Sequence, residues 1–213
     1  MTSFDVAAVR AGLELLRRRD PRLKIFGAVG HKYRLAPRLD EKKAVAFEKG
    51  HRVTLPEEYR RFLTRLGNGG AGPFYGIFAL GNMDDGPWVR GFVGNLGVPF
   101  PHTTAWNLPQ ARLWTPQYFE TEEAEHEWSE SLDAEYWNPA IMSGAVPICE
   151  HGCALRTWLV VKGPEHGHVW FDARVDHQGV RPHEDATGHR MTFGAWYERW
   201  LAESLAALER PNR

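Results

Sequence analysis

The stretch Leu55-Pro56-Glu57-Glu58-Tyr59-Arg60-Arg61-Phe62-Leu63-Thr64-Arg65-Leu66 has the clearest periodicity in the chain. A helix with one buried face is predicted by apolar side chains at i, i+3, i+4 and i+7, namely Tyr59, Phe62, Leu63 and Leu66. Pro56 suits the first turn of such a helix, and Thr54 and Glu57 have the spacing of a capping box. Gly67-Asn68-Gly69-Gly70 predicts its end, because these residues tolerate positive φ.

Periodicity and turn residues also predict the elements on either side of this stretch. It predicts further helices over residues 4–19 (capped by Ser3), 40–49 (ended by Gly50), about 117–135 and about 192–208. It predicts strands at 74–80, 146–148, 155–161 and 169–171, and a loop over 174–190. Helices come first, then strands, then one helix, which differs from an alternating βαβ pattern. We therefore expect an α+β fold with an antiparallel β-sheet flanked by helices.

Length and composition exclude several classes of protein. A chain of 213 residues with 43% hydrophobic residues fits a single globular domain, residues 1–213. A net charge of -1 argues against a general nucleic-acid binder, so we expect no direct nucleic-acid partner. No apolar run reaches 18 residues, which predicts no membrane span. The first residues lack a basic and then apolar leader, and there are only two cysteines, so we expect a cytoplasmic protein.

The near-zero net charge conceals an uneven distribution. Residues 1–65 hold 16 Lys and Arg against 8 Asp and Glu, a net charge of +8, and the remaining 148 residues sum to -9. The acidic residues concentrate between 120 and 135, without one Lys or Arg: Glu120, Glu122, Glu123, Glu125, Glu127, Glu130, Asp133 and Glu135. A basic partner would relieve their mutual repulsion. The alternative is a solvated helix whose carboxylates face the basic N-terminal helices of the same chain.

Residue patterns that could support catalysis or metal binding are incomplete. Cys149 and Cys153 have a spacing loosely compatible with zinc, with His166 and His168 one hairpin away, but a buried thiol and a turn explain the pair equally well. His183 and His189 flank two acidic residues in a segment that also fits a solvated loop. The chain has no nucleophile elbow, phosphate loop or His-Glu-x-x-His motif, so we assign no catalytic residue, metal or cofactor.

Several motifs in order resemble the SUKH superfamily, and within it the Smi/Knr type named after a fungal cell-wall assembly regulator. The resemblance begins with the stretch quoted first and continues through Asn68-Gly69-Gly70-x-Gly72-Pro73, Tyr75-Gly76-Ile77-Phe78, Val146-Pro147-Ile148, His151-Gly152-Cys153, Leu159-Val160-Val161-Lys162-Gly163-Pro164, Gly167-x-Val169-Trp170 and Phe193-x-x-Trp196 with Trp200. It covers residues 39–80 and 144–203. Residues 1–38 then form an N-terminal helical extension and residues 81–143 an insertion.

The resemblance implies an α+β fold and a non-enzymatic role. Most bacterial members of that superfamily look like immunity proteins of polymorphic toxin systems, which bind and block a cognate toxin domain, often a nuclease or another basic effector. Its fungal members act as regulatory binding proteins. The family's glycines and aromatic residues are scaffold, so no catalytic residue transfers to this chain, and Gly152-Cys153 is implied to be a structural turn.

The insertion is therefore the expected binding element. Of the nine Trp, four belong to predicted core elements and five fall within residues 81–143. We predict that the partner is bound by aromatic and acidic residues of this segment: Trp88, Trp106, Trp114, Glu122, Glu123, Glu125 and Trp128. Two alternatives stay open, a regulatory or scaffold module of the same fold without a toxin partner, and a metal-dependent hydrolase using His151, Cys153 and His183.

Overall fold

A computed structural model of the chain describes residues 4–83, 86–88, 92–111 and 121–209. Its helices are α1 (Val6–Arg19), α2 (Ala28–His31), α3 (Glu41–His51), α4 (Glu57–Arg61), α5 (Glu122–Tyr136) and α6 (Phe193–Glu209), and α4 continues as a π-helical turn over Phe62–Leu66. The strands are β1 (Asn82–Met83), β2 (Gly86–Pro87), β3 (Ala145–Gly152), β4 (Leu155–Val160), β5 (Val169–Asp172) and β6 (Val180–Pro182). Within these residues no helix has the length and apolar character that a membrane span requires.

The main sheet confirms the predicted α+β class. Strands β3, β4, β5 and β6 lie side by side in chain order, and every neighbouring pair is antiparallel. Trp158 of β4 lies opposite Pro147 of β3 and Trp170 of β5, which fixes the register through two large side chains. The strands predicted at 146–148, 155–161 and 169–171 are thus present, and β3 extends further than its prediction.

Both faces of this sheet are buried. The front face carries Val146, Ile148, Leu159 and Val169, which join the large core formed with the helices. The back face carries the alternate residues Ala145, Trp158, Val160 and Trp170, which pack with Phe100 and Met142. The segment interpreted as an insertion therefore supplies the cover of the back face, and a strand buried on both sides reads as a continuous apolar run.

Phe193, the first residue of α6, is the centre of the front core. Its ring is fully buried and lies 5.0 Å from that of Tyr59, 5.3 Å from Phe62 and 6.0 Å from Phe4, measured between centroids. The Tyr197 ring on the next turn packs against the same group, and its hydroxyl donates to the Ala71 carbonyl at 2.7 Å. The aromatic residues of the first-quoted stretch are therefore buried as predicted.

Local details differ from the sequence predictions at helix ends. Helix α1 is capped by the Asp5 carboxylate, which accepts from two backbone N–H groups, and starts at Val6 instead of residue 4 with a Ser3 cap. Helix α3 continues through Gly50 to His51 and ends at Arg52, which adopts the left-handed conformation. The capping box at Thr54 and Glu57 does not form, because α4 begins after Pro56 without a side-chain cap.

The strand predicted at 74–80 is wrong. Pro73 and Gly76 close a tight turn in which the Gly76 N–H donates to the Pro73 carbonyl, and both Phe74 and Gly76 have positive φ. Only Ile77 makes strand-like bridges, to Gly70 and Cys149. The apolar run at 74–80 arises because this turn packs against the sheet. A buried turn can therefore give the same run of apolar residues as a buried strand.

The loop predicted at 174–190 is wrong in part, since it contains β6. Val180 pairs with Asp172 of β5 and also exchanges two backbone hydrogen bonds with Trp106, both 2.8 Å. A three-residue strand made by such tertiary contacts leaves too short a pattern to recognise in sequence. The helix predicted at about 117–135 corresponds to α5, and residues 117–120 of that prediction lie outside the described residues.

A buried ion pair joins α5 to the sheet. The Arg174 guanidinium donates to both carboxylate oxygens of Asp172, at 2.9 and 2.7 Å, and its third contact is to the Tyr136 carbonyl at 3.0 Å. Helix α5 has no basic residue in its last turn, so Arg174 supplies the cation that the C-terminal end of a helix favours. The Tyr136 hydroxyl accepts from Gly179 N–H and donates to Asn107, which completes the joint.

We predict that Phe193→Ala lowers the free energy of unfolding by about 3–5 kcal/mol, because the remaining rings cannot collapse into the space of a fully buried aromatic residue. Denaturant unfolding measures this. The control is Val29→Ala at a side chain 69% exposed, for which a change within about 0.5 kcal/mol is expected. Equal effects of the two substitutions would contradict the placement of Phe193.

We also predict that Arg174→Met destabilises the protein by about 3–5 kcal/mol, because the Asp172 carboxylate is then buried without its cation. The double variant Asp172→Asn/Arg174→Met removes that charge and should recover part of the loss in the same unfolding experiment. A double variant that is as unstable as the sum of the two single variants would show that the pair has no coupling.

Candidate functional site

Helix α5 presents five described acidic residues to solvent. We call the exposed carboxylates of Glu122, Glu123, Glu127, Glu130 and Glu135 the acidic face. Among the described side chains, Glu130 forms an ion-pair contact on this face, at 3.4 Å from the His126 imidazole. Thr121 caps the helix by accepting from Ala124 N–H, so Glu122 and Glu123 lie in the first turn, where negative charge is favoured.

The basic N-terminal helices form their ion pairs elsewhere. Arg19 pairs with Glu209 at 2.6 Å, and Arg60 contacts Glu41 and Glu48 at 2.8 and 3.5 Å. No described side chain of residues 4–65 forms an ion pair with the acidic face. The described contacts thus do not support the alternative in which these carboxylates are neutralised within the chain.

The opposite side of α5 is anchored in an apolar cluster. Leu132 and Tyr136 are buried with Leu108 and Ala111, and Trp128 is half-buried beside them. The Trp128 ring lies 4.9 Å from that of His177 in an edge-to-face arrangement. Because one side of α5 is packed and its end is held by Arg174, the acidic face is presented from a fixed position.

The predicted tryptophans are mostly engaged inside the protein. Trp88 is half-buried against the front core, and its indole N–H donates to the Asn82 carbonyl at 2.9 Å. Trp106 is half-buried, with its ring stacked 5.8 Å from that of Tyr136. Among the described tryptophans Trp137 is the one with a largely exposed side chain, at 42%. Trp114 and the Glu125 side chain lie outside the described residues.

The fold also exposes an aromatic patch that no sequence motif indicated. Phe26 and Tyr75 are 59% and 51% exposed, and their ring centroids lie 5.3 Å apart. Phe74 packs edge-on against Phe26 at 6.3 Å. Residues 22–38 have no periodicity, so nothing in the sequence linked Phe26 to the segment around Phe74.

A cavity of about 420 Å³ opens beside this patch, and we call it the aromatic cleft. Its wall on one side is α6 and on the other the turn at Phe74. The side chains that shape it include Phe26, Phe74, His183, Trp196, Arg199 and Trp200. A mostly apolar cavity of this size, with few polar groups, is typical of small-molecule sites.

A chain of three polar side chains reaches the floor of the aromatic cleft. The fully buried Thr157 hydroxyl lies 2.7 Å from Nε2 of His151 and 3.1 Å from Nε2 of His183. The His151 ring is stacked between Phe74, 3.5 Å away and nearly parallel, and Phe171, 4.9 Å away. Burial lowers the pKa of His151 to about 3 and that of His183 to about 4, so both imidazoles are neutral at pH 7.

The two cysteines, whose spacing is loosely compatible with zinc, lie in different environments. Cys149 is buried, its Sγ contacts the Pro73 carbonyl at 3.1 Å, and burial raises the pKa of its thiol. Cys153 is exposed in the two-residue turn between β3 and β4. His166 contacts the Thr54 carbonyl, and His168 lies 3.4 Å from Glu165. The described residues contain no group of three or more His, Cys, Asp or Glu placed to hold a metal ion.

The two histidines that flank Glu184 and Asp185 after β6 also lie in different environments. His183 is turned into the aromatic cleft, while the exposed His189 lies with Asp185 and Thr187 in a local hydrogen-bonded turn. These contacts hold the Asp185 pKa below its usual value, first through the Thr187 hydroxyl. The two histidines therefore do not form one site.

Comparisons with protein-family models, with curated proteins and with solved structures give no match for this chain. The likeness to the SUKH superfamily therefore remains an interpretation of its motifs.

Proposed function

We propose that the protein is a non-enzymatic immunity protein that binds and neutralises a cognate bacterial toxin domain in the cytoplasm. The observation that carries this proposal is the acidic face of α5, whose exposed carboxylates have no Lys or Arg partner among the described side chains. The SUKH-like motifs support the same function, because most bacterial members of the superfamily that they resemble look like toxin-binding immunity proteins.

The proposed mechanism is occlusion guided by charge. Several carboxylates on one face create a negative potential that accelerates encounter with a positively charged surface. The packing of Leu132 and Tyr136, together with the Arg174 contact, holds that face in place before binding. A pre-ordered surface loses little conformational entropy when the partner docks, which favours affinity.

The negative charge of the acidic face favours a toxin with a basic surface as the partner. A toxin that acts on nucleic acid has a basic surface for the phosphate backbone, and a row of carboxylates can occupy that surface in place of phosphates. Covering it would prevent the substrate from reaching the toxin. The exposed Trp137 indole near the end of α5 adds an aromatic contact of the kind enriched at binding interfaces.

The test is co-expression with the toxin encoded by the adjacent gene, followed by a growth assay and pull-down of the complex. Protection from the toxin together with a stable complex is the expected result. Complete lack of both would refute the proposal, whereas a complex with a partner that is not toxic would favour the regulatory module.

We predict that neutralising the acidic face slows association with the toxin on the order of tenfold and reduces its dependence on salt, because the attraction at long range is lost. The variant combines Glu122→Gln, Glu123→Gln, Glu127→Gln and Glu130→Gln. Surface plasmon resonance at several salt concentrations measures the association rate.

The matched control changes the total charge by the same amount elsewhere on the surface. It combines Glu14→Gln, Glu57→Gln, Glu203→Gln and Glu209→Gln, all at exposed side chains outside α5. Its association rate should remain within about threefold of the native protein. If both variants slow association equally, net charge alone is responsible and the acidic face has no special role.

A further inference from the structure

The aromatic cleft has no part in the proposed function, yet its lining is typical of a small-molecule binding site. Its walls are ring faces and edges from Phe26, Phe74, Trp196 and Trp200. These rings come from three separate parts of the chain, and the volume of about 420 Å³ exceeds what one side chain would fill. Aromatic walls favour a flat, polarisable occupant, because rings gain energy from stacked and edge-to-face contacts.

The charges at the cleft cancel. The Arg199 guanidinium Nε lies 2.7 Å from the Glu203 carboxylate, one turn further along α6, so the two form an ion pair. The ion pair leaves the lining without net charge, and the rest of the described lining adds the neutral imidazole of His183 and the hydroxyl of Ser204. Transfer of a charged ligand from water into this mostly apolar cavity costs more free energy than transfer of an uncharged one, so we expect an uncharged occupant.

His183 gives the cleft a directional polar group. Its Nε2 is held by Thr157, and its backbone N–H and C=O are held by Val169 and Met191, both at 2.9 Å. The other ring nitrogen, Nδ1, forms no hydrogen bond with any described residue. A fixed imidazole with one free nitrogen in an apolar cavity selects a ligand that carries a matching polar atom.

The Thr157 hydroxyl allows Nδ1 of His183 to act either as a hydrogen-bond donor or as an acceptor. A hydroxyl has a single hydrogen, so Thr157 donates to one imidazole and accepts from the other. When His183 donates through Nε2, its Nδ1 has a lone pair and His151 accepts from Thr157. In the alternative pair of neutral tautomers, His151 donates through Nε2 to Thr157, Thr157 donates to Nε2 of His183, and Nδ1 of His183 carries the proton.

We propose that the aromatic cleft is a binding site for a small, uncharged, planar ring compound with one hydrogen-bonding atom that pairs with His183. The rings bind the flat body of the ligand, and the imidazole sets its orientation.

Three probes of nearly equal shape test this. Indole offers an N–H donor, isoquinoline offers a nitrogen lone pair, and indene has the same fused-ring form without a polar atom. We expect at least one of the first two to bind about fivefold more tightly than indene, the effect of one net hydrogen bond. Two-dimensional ¹H–¹⁵N NMR titration of the full chain measures affinity and locates the site through the indole N–H signals of Trp196 and Trp200.

Two variants and a control connect binding to the cleft. Ala207→Trp places a large side chain at the exposed rim of the cavity and should abolish binding while leaving the fold intact. His183→Phe should remove the preference over indene. His126→Phe, at an exposed histidine of α5, should bind all three probes as the native protein does.

The proposal is overturned if none of the probes shifts the Trp196 or Trp200 signals up to its solubility limit. It is also overturned if Ala207→Trp binds the probes unchanged, or if indene binds as tightly as both polar probes. Thermal unfolding and the NMR spectrum of each variant establish that it is folded, and should His183→Phe not fold, the Ala207→Trp variant and the indene comparison still decide the question.

Discussion

The front core depends on the packing of the buried Phe193 ring. The ring packs against Tyr59 and Phe62, which belong to α4 and its π-helical continuation, and against Phe4, which immediately precedes α1. The next residue, Gly194, lies so close to α4 that a Cβ would be 2.9 Å from the Glu58 carboxylate, and its N–H donates to that carboxylate. The Glu58 side chain of α4 thereby caps the N-terminal end of α6, and this contact fixes the position of α6 against the front core.

The sequence determined most of this layer because its signals are long and periodic. The four apolar positions at 59, 62, 63 and 66 and the heavy stripe of α6 predicted buried helix faces, and the helices are there. Strands β4 and β5 were recognisable for a similar reason, since each has consecutive apolar residues, Trp158–Val160 and Val169–Phe171, that face both sides of the sheet. Where a segment is fixed by a turn or a bridge to a distant residue, as at Phe74 and Val180, local pattern carried no information about it.

The candidate surfaces show the same division. The exposure of the acidic face could be predicted from composition, because eight carboxylates without a cation cannot be buried. The aromatic cleft could not, since Phe26, Phe74, His183 and Trp200 are separated in sequence and meet only after folding. The tryptophans of residues 81–143 gave a mixed result: Trp106 packs with the cluster on the back of the sheet, whereas Trp88 packs against the front core.

The meeting of α1 with α6 has a consequence for the order of folding. Gly12 allows such close approach that a Cβ there would lie 2.5 Å from Leu201, and Arg19 pairs with Glu209 at 2.6 Å. These partners are about 190 residues apart, whereas β3 to β6 form a meander of consecutive neighbours that a growing chain can pair early. The contacts between α1 and α6 can therefore form only after α6 has been synthesised, and until then the apolar surfaces that they bury remain exposed to other partners.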